Sequence, residues 1–170
     1  MRSESARATT AAEARYRIEA PNSLPRNVKV IALGPQSETV VQRLSRLPWT
    51  RAQFLTASSF TTNIGDRKEF QIGSWLSDLA GHAKSLVDEV AGADLVVMIA
   101  AAGEPAHAAE MIGVACRARN VMATGLVLND ASRDGDSATD TQAQVRPHVG
   151  MLVAAPSESY IEDMLTALRA

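Results

Sequence analysis

The chain has 170 residues, 46% of them hydrophobic and 21% charged, the size and balance of one globular domain with a sizeable core. A net charge of −2 offers no pull toward nucleic acid or an anionic membrane, so neither is an expected partner. The single cysteine, Cys116, excludes an intrachain disulfide framework, and the longest apolar run, residues 95–102, is far too short to span a bilayer.

Residues 1–26 carry five arginines against three glutamates, with Pro21 and Pro25 near their end. This composition predicts a flexible or loosely docked N-terminal tail, leaving residues 27–170 as a single α/β domain. A basic arm touching a partner is the functional alternative, diluted by Glu4, Glu13 and Glu19. With no signal-peptide-like apolar stretch near Met1, the cytoplasm is the expected compartment.

From Asn27 onward apolar strands alternate with amphipathic segments. Residues 28–33 are apolar except for Lys29 and end at Gly34-Pro35, the pattern of a strand buried on both faces. A helix is expected over 37–47, with Val40, Val41, Leu44 and Leu47 on one face and Pro48 as its stop. Residues 53–57 read as a second strand and 68–72 as a short edge strand reached through a Gly65-Asp66 turn. Trp75, Leu79, Leu86 and Val90 fall on one helical stripe that exits at Gly92. Residues 94–102 form the strongest strand, followed by a helix over 106–119 with Pro105 at its first turn. A strand over 121–128, a polar loop over 129–140, a short helical stretch over 141–146, a strand over 149–154 and a closing helix over 157–168 complete the chain.

Strand and helix alternating in this way predict a three-layer α/β/α, mainly parallel, doubly wound sheet of Rossmann-like type. Ligands in such folds sit beyond the carboxyl ends of the strands. The loops that reach that end nominate Gly34, Gln36, Ser37, Ser58, Gly103, Glu104, His107, Asn129 and Ser157 as candidate ligand-binding residues.

The stretch Val28-Lys29-Val30-Ile31-Ala32-Leu33-Gly34 before a helix, Lys68-Glu69-Phe70-Gln71-Ile72-Gly73, Gly92-Ala93-Asp94-Leu95-Val96-Val97-Met98-Ile99-Ala100-Ala101-Ala102-Gly103, and Arg146-Pro147-His148-Val149-Gly150-Met151-Leu152-Val153-Ala154-Ala155-Pro156 follow one another in a telling order. Together they resemble the strands of the N-terminal GTP-binding domain of the FtsZ/tubulin family, over residues 28–165. The departures fall in the loops. Where that family has a first loop of several glycines, this chain has Gly34-Pro35-Gln36-Ser37; where the family has GGGTGTG, it has Gly103-Glu104-Pro105-Ala106-His107-Ala108-Ala109.

Close wrapping of a phosphate needs backbone amides free of bulky side chains, and proline lacks the N–H altogether. Glu104 would set a negative charge where a triphosphate should lie, a repulsion of about 4 kcal/mol at ~4 Å and an effective dielectric of 20. The family's base-contacting Asn, its catalytic acidic loop and its second domain have no counterpart in these residues. The resemblance therefore implies an FtsZ/tubulin-like scaffold with degenerate nucleotide loops, for which GTP is a doubtful ligand. A dinucleotide fingerprint fits worse, since residues 34–39 supply one of three required glycines and Glu38 would crowd the pyrophosphate.

No metal site is expected, because His82, His107, His148 and Cys116 share no ligand spacing. Glu104 and His107 are spaced to meet on a first helical turn, which leaves two readings: a polar pair for ligand contact or proton transfer, or an exposed carboxylate beside an incidental histidine. Packing is the expected role of Cys116, Trp49 and Trp75, and solvation that of the acidic loop with Asp130, Asp134, Asp136 and Asp140. The sequence thus predicts a non-catalytic binding or assembly module that has lost GTP hydrolysis and works through a protein partner or self-association. A binder of small molecules or nucleotides, with or without an enzymatic activity, is the alternative. Neither reading names a cofactor.

Overall fold

A computed structural model describes residues 25–57, 76–129 and 135–170. The described strands are β1 (Val28–Ala32), β2 (Ala52–Thr56), β3 (Leu76–Asp78), β4 (Ala83–Lys84), β5 (Leu95–Ala101), β6 (Met122–Leu128) and β7 (Met151–Ala155). They form one seven-stranded sheet in the order β4-β3-β2-β1-β5-β6-β7. The pairs β2–β1, β1–β5, β5–β6 and β6–β7 are parallel, and only β3 and β4 join antiparallel at one edge. All seven residues of β5 are buried, as a central parallel strand covered on both faces requires.

The described helices are α1 (Pro35–Leu44), α2 (Leu86–Ala91), α3 (Ala108–Arg119), α4 (Gly135–Val145) and α5 (Glu158–Ala167), with a 3-10 turn at Arg146–His148. Alternation along the strands sorts the core into two halves. Val28, Val30, Val97 and Ile99 meet Val40, Val41 and Leu44 of α1 and Ile161 and Leu165 of α5. On the opposite face Ile31, Val96 and Met98 meet Leu86 and Val90 of α2 and Ile112 and Cys116 of α3. The result is the three-layer α/β/α arrangement with a mostly parallel sheet that the strand pattern predicts. Among the described residues no helix is long and apolar enough to cross a membrane.

Several boundaries differ from expectation. The stripe through Leu79, Leu86 and Val90 is not one helix: residues 76–84 form the β3–β4 hairpin and α2 starts only at Leu86, where the Ser85 side chain accepts from the Asp88 N–H. The hairpin turn is held by Asp78, whose Oδ1 accepts from the Ala80 and His82 N–H groups at 3.0 and 2.9 Å. These bonds, that of His82 first, hold the Asp78 carboxyl below its ordinary range, and Gly81 supplies the turn's positive φ of 87°. The polar stretch 135–140 belongs to α4 rather than to a loop. The expected strand at 68–72, Trp75, Ser58 and most of the N-terminal tail lie outside the described residues.

Candidate functional site

β1 and β5 lie side by side, and the chain leaves them in opposite directions. From β1 it passes through α1 to β2; from β5 it passes through α3 to β6. Such a divergence opens a crevice above the carboxyl ends of the two strands, the place where open α/β sheets take ligands. In this chain Glu104 fills that crevice.

The seat is built from the first turn of α1. Gly34 is its N-cap in extended conformation, and Pro35 opens the helix where the absence of an N–H costs nothing. The next two N–H groups have no intrahelical acceptor and point outward from the positive end of the helix. The Gln36 N–H donates to Glu104 Oε1 at 2.9 Å, and the Ser37 N–H reaches Oε1 and Oε2 at 3.3 and 3.2 Å. A third donor is the Ala101 N–H at the end of β5, 2.8 Å from Oε2. Glu104 is only 2% exposed. A Cβ on Gly34 would overlap the Glu104 carboxylate, so the glycine serves this close approach and not a strained φ.

The rest of the loop is locked in place. The Gly34 N–H donates to Ser37 Oγ at 3.0 Å, and that hydroxyl is 3.0 Å from the Gly34 carbonyl. Behind Glu104, Gly103 adopts a φ of 81° and donates its N–H to Thr141 Oγ1 at 3.0 Å. The Thr141 hydroxyl in turn donates to the Glu104 carbonyl at 3.1 Å, and the Ala106 N–H donates to Gln144 Oε1 at 2.9 Å. α4 therefore fixes the backbone that carries the carboxylate, while α1 and β5 hold the carboxylate itself. Helix N-termini commonly receive phosphate or carboxylate groups from ligands. Here the anion comes from the protein.

This arrangement corrects both readings of Glu104 and His107. α3 begins at Ala108, not 106, and His107 lies exposed at its N-cap without a side-chain capping bond. Glu104 is neither exposed nor turned toward His107; its carboxylate bonds the backbone of α1 and β5 instead. Of the other nominated residues, Gly34, Gln36, Ser37 and Gly103 gather around Glu104. Asn129 stands at the end of β6, its N–H bonded to the Ala155 carbonyl at 2.8 Å. Ser157 caps α5, its Oγ accepting from the Tyr160 N–H at 3.3 Å and lying 2.8 Å from Ser159 Oγ. Glu38 reaches β2, where its Oε2 accepts from the Thr56 hydroxyl at 3.0 Å.

Beside the filled crevice, α1 and α5 border an open cleft of about 310 Å³ above the ends of β5 and β6. Its lining includes Gln36, Thr39, Arg43 and Glu158, none of which except Gln36 was nominated from the sequence. Arg43 and Glu158 form a two-point ion pair across it, the Arg43 Nε at 2.9 Å and Nη2 closer still. That hydrogen bonding raises the Arg43 guanidinium above its ordinary value. These two residues lie 115 positions apart, and only the fold unites them. The support from Thr141 and Gln144 was equally invisible: both fall in the expected helical stretch over 141–146, but their bonds to the loop after β5 span 37 and 38 positions.

Cys116 is buried on α3, and desolvation pushes its thiol up to about 11, the opposite of an activated nucleophile. Among the described residues no three His, Cys, Asp or Glu side chains cluster closely enough to hold a metal ion. No protein-family model matches the chain, and no characterised protein is detectably similar to it in sequence.

Proposed function

We propose that the chain is a non-catalytic binding or assembly module on a scaffold of nucleotide-binding type, acting through protein contacts and without GTP turnover. The observation that carries this reading is the Glu104 carboxylate seated on the N–H groups of Gln36, Ser37 and Ala101. An entering phosphate would have to displace a buried carboxylate that is already satisfied by three donors, and would then face its charge at close range. The order of the strand segments that resembles the FtsZ/tubulin family supports an origin in such a scaffold. Glu104 supports the loss of its usual ligand.

Calorimetric titration with GTP, GDP and ATP, alongside a hydrolysis assay, tests the reading. The expected result is no binding heat at millimolar nucleotide and hydrolysis at the rate of buffer alone. Micromolar binding, or turnover that disappears on changing Gly34 or Glu104, would sink it.

The cleft between α1 and α5 favours a second reading, a small-molecule binder. Its volume is at the small end of the range for ligand pockets, and Gln36, Thr39 and the Arg43–Glu158 pair supply polar contacts. A thermal-shift panel of nucleotides, dinucleotides and small charged metabolites separates the two. A ligand that raises the melting temperature of the wild type but not of Arg43→Ala establishes the cleft; silence across the panel leaves the protein-contact reading standing.

A further inference from the structure

We infer that β7 is a self-association edge, pairing antiparallel with β7 of a second copy so that two sheets become one. This rests on the binding-module reading and names both its surface and its partner.

The two edges of the sheet differ in kind. At the β4 edge the strand is two residues long, ends in Lys84 and is joined to β3 by a turn carrying Asp78 and His82. Short, charged edges of this sort discourage pairing. At the other edge β7 reads Met151-Leu152-Val153-Ala154-Ala155, with no charge and no proline. The Asn129 N–H bonds the Ala155 carbonyl, so parallel-ladder alternation turns the backbone groups of Ala155 and Val153 toward β6. Those of Leu152 and Ala154 face away from the sheet. Met151 is 41% exposed, and Met122, two residues before Thr124, which pairs with Met151, is 63% exposed. The two methionines lie on the same face of the sheet and leave an apolar patch beside the open edge.

A second copy satisfies this edge without any further feature. Centred on Val153, a two-fold pairing sets Leu152 of each copy opposite Ala154 of the other, so their outward N–H and C=O groups bond reciprocally. An edge of this length with a methionine patch predicts a reversible dimer with an affinity of about micromolar order.

Sedimentation equilibrium on the full chain tests this, with Ala154→Pro and Ala154→Lys as variants. Proline at 154 removes an N–H that faces away from β6 and leaves the β6–β7 ladder intact; lysine at this exposed position adds a like charge to each half of the seam. The expected result is a wild-type dimer whose dissociation constant rises by at least about tenfold in both variants, with unchanged circular dichroism. A wild type that stays monomeric at high micromolar concentration overturns the inference, as does a dimer indifferent to both variants. Deleting residues 1–24 tests the chain's own N-terminal segment as the occupant: a monomer that dimerises only after the deletion has its edge covered by that segment, which also overturns the inference. Nucleotide titration of the same samples keeps the two ideas apart. A monomer that ignores nucleotide refutes β7 pairing alone, whereas bound GTP refutes the module reading in any oligomeric state.

Discussion

Glu104 sets both carboxylate oxygens within 3.3 Å of the Ser37 N–H, 67 positions earlier in the chain, and so ties the loop after β5 to the helix after β1. In a nucleotide-binding α/β protein the same two elements are bridged by the ligand's phosphates. Here a side chain of the protein itself makes the bridge, and the crevice is a structural joint. A joint of this kind is tested through stability first.

Replacing Glu104 with Ala leaves the N–H groups of Gln36, Ser37 and Ala101 without their charged acceptor, which water entering the emptied site replaces only in part. The expected loss is about 3–5 kcal/mol, since each buried donor left unsatisfied costs roughly 1–3 kcal/mol. For a domain of this size that is a fall in melting temperature of roughly 6–20 °C. Glu104→Gln should recover little, because its NH2 group must confront one of the three donors. Thermal and urea denaturation of the two variants checks this; a change under about 0.5 kcal/mol would show that the joint contributes nothing.

Gly34 and Glu104 should be strongly coupled. Gly34→Ala introduces a Cβ into the space of the Glu104 carboxylate, so it destabilises the wild type but meets an emptied site in Glu104→Ala. The double mutant is expected to be at least about 1 kcal/mol more stable than the sum of the single losses predicts. The emptied site should also accept a small oxyanion: acetate or formate is expected to raise the melting temperature of Glu104→Ala more than that of Gly34→Ala/Glu104→Ala. Strict additivity in the cycle would refute the close approach.

The parallel frame was readable because buried strands announce themselves locally: the run through β5 and its exit at Gly103-Glu104-Pro105 carry their own evidence. Gly34, Ser37 and Glu104 were nominated because they follow strand ends, and the fold brings the three together. What Glu104 does there was not readable. Whether a carboxylate repels a ligand, meets water or seats itself on a neighbouring helix depends on a contact across 67 positions, and no periodicity encodes it. Leu79 and Leu86 misled for a related reason. Their helical spacing was accidental, and the turn chemistry of Asp78 and Gly81 between β3 and β4 prevailed over it. Arg43 and Glu158 belong to two separate helices, 115 positions apart, and carry no local signal of their pairing.

The Arg43–Glu158 pair joins α1 to α5 across the cleft, but its side chains are 52% and 35% exposed. Solvent and salt screen such a pair, so Arg43→Ala should cost no more than about 1 kcal/mol, and less in high salt. Its main effect should be to open the cleft. Urea denaturation of Arg43→Ala at low and high ionic strength checks the energy, and a loss well above that limit, insensitive to salt, would mean that the pair does structural work its exposure does not suggest.

Cys116 gives a pH dependence whose sign follows from burial. Desolvation raises its thiol to about 11 in the folded chain, above the ordinary thiol value of about 8.5 in the unfolded chain. Below the unfolded value both states hold the proton and nothing is lost. Between the two values only the unfolded chain ionises, so the folded state loses up to about 1.4 kcal/mol per pH unit until the pH passes about 11. Cys116→Ala lacks this term, so its stability relative to the wild type should improve steadily as the pH rises through that window. At neutral pH a thiol reagent should label Cys116 at the rate of unfolding and no faster, since the buried thiol is neither ionised nor accessible. Rapid labelling of the native chain would mean that α3 opens independently of the sheet, and with it the packing of Ile112 and Cys116 against β5 and the rest of that core.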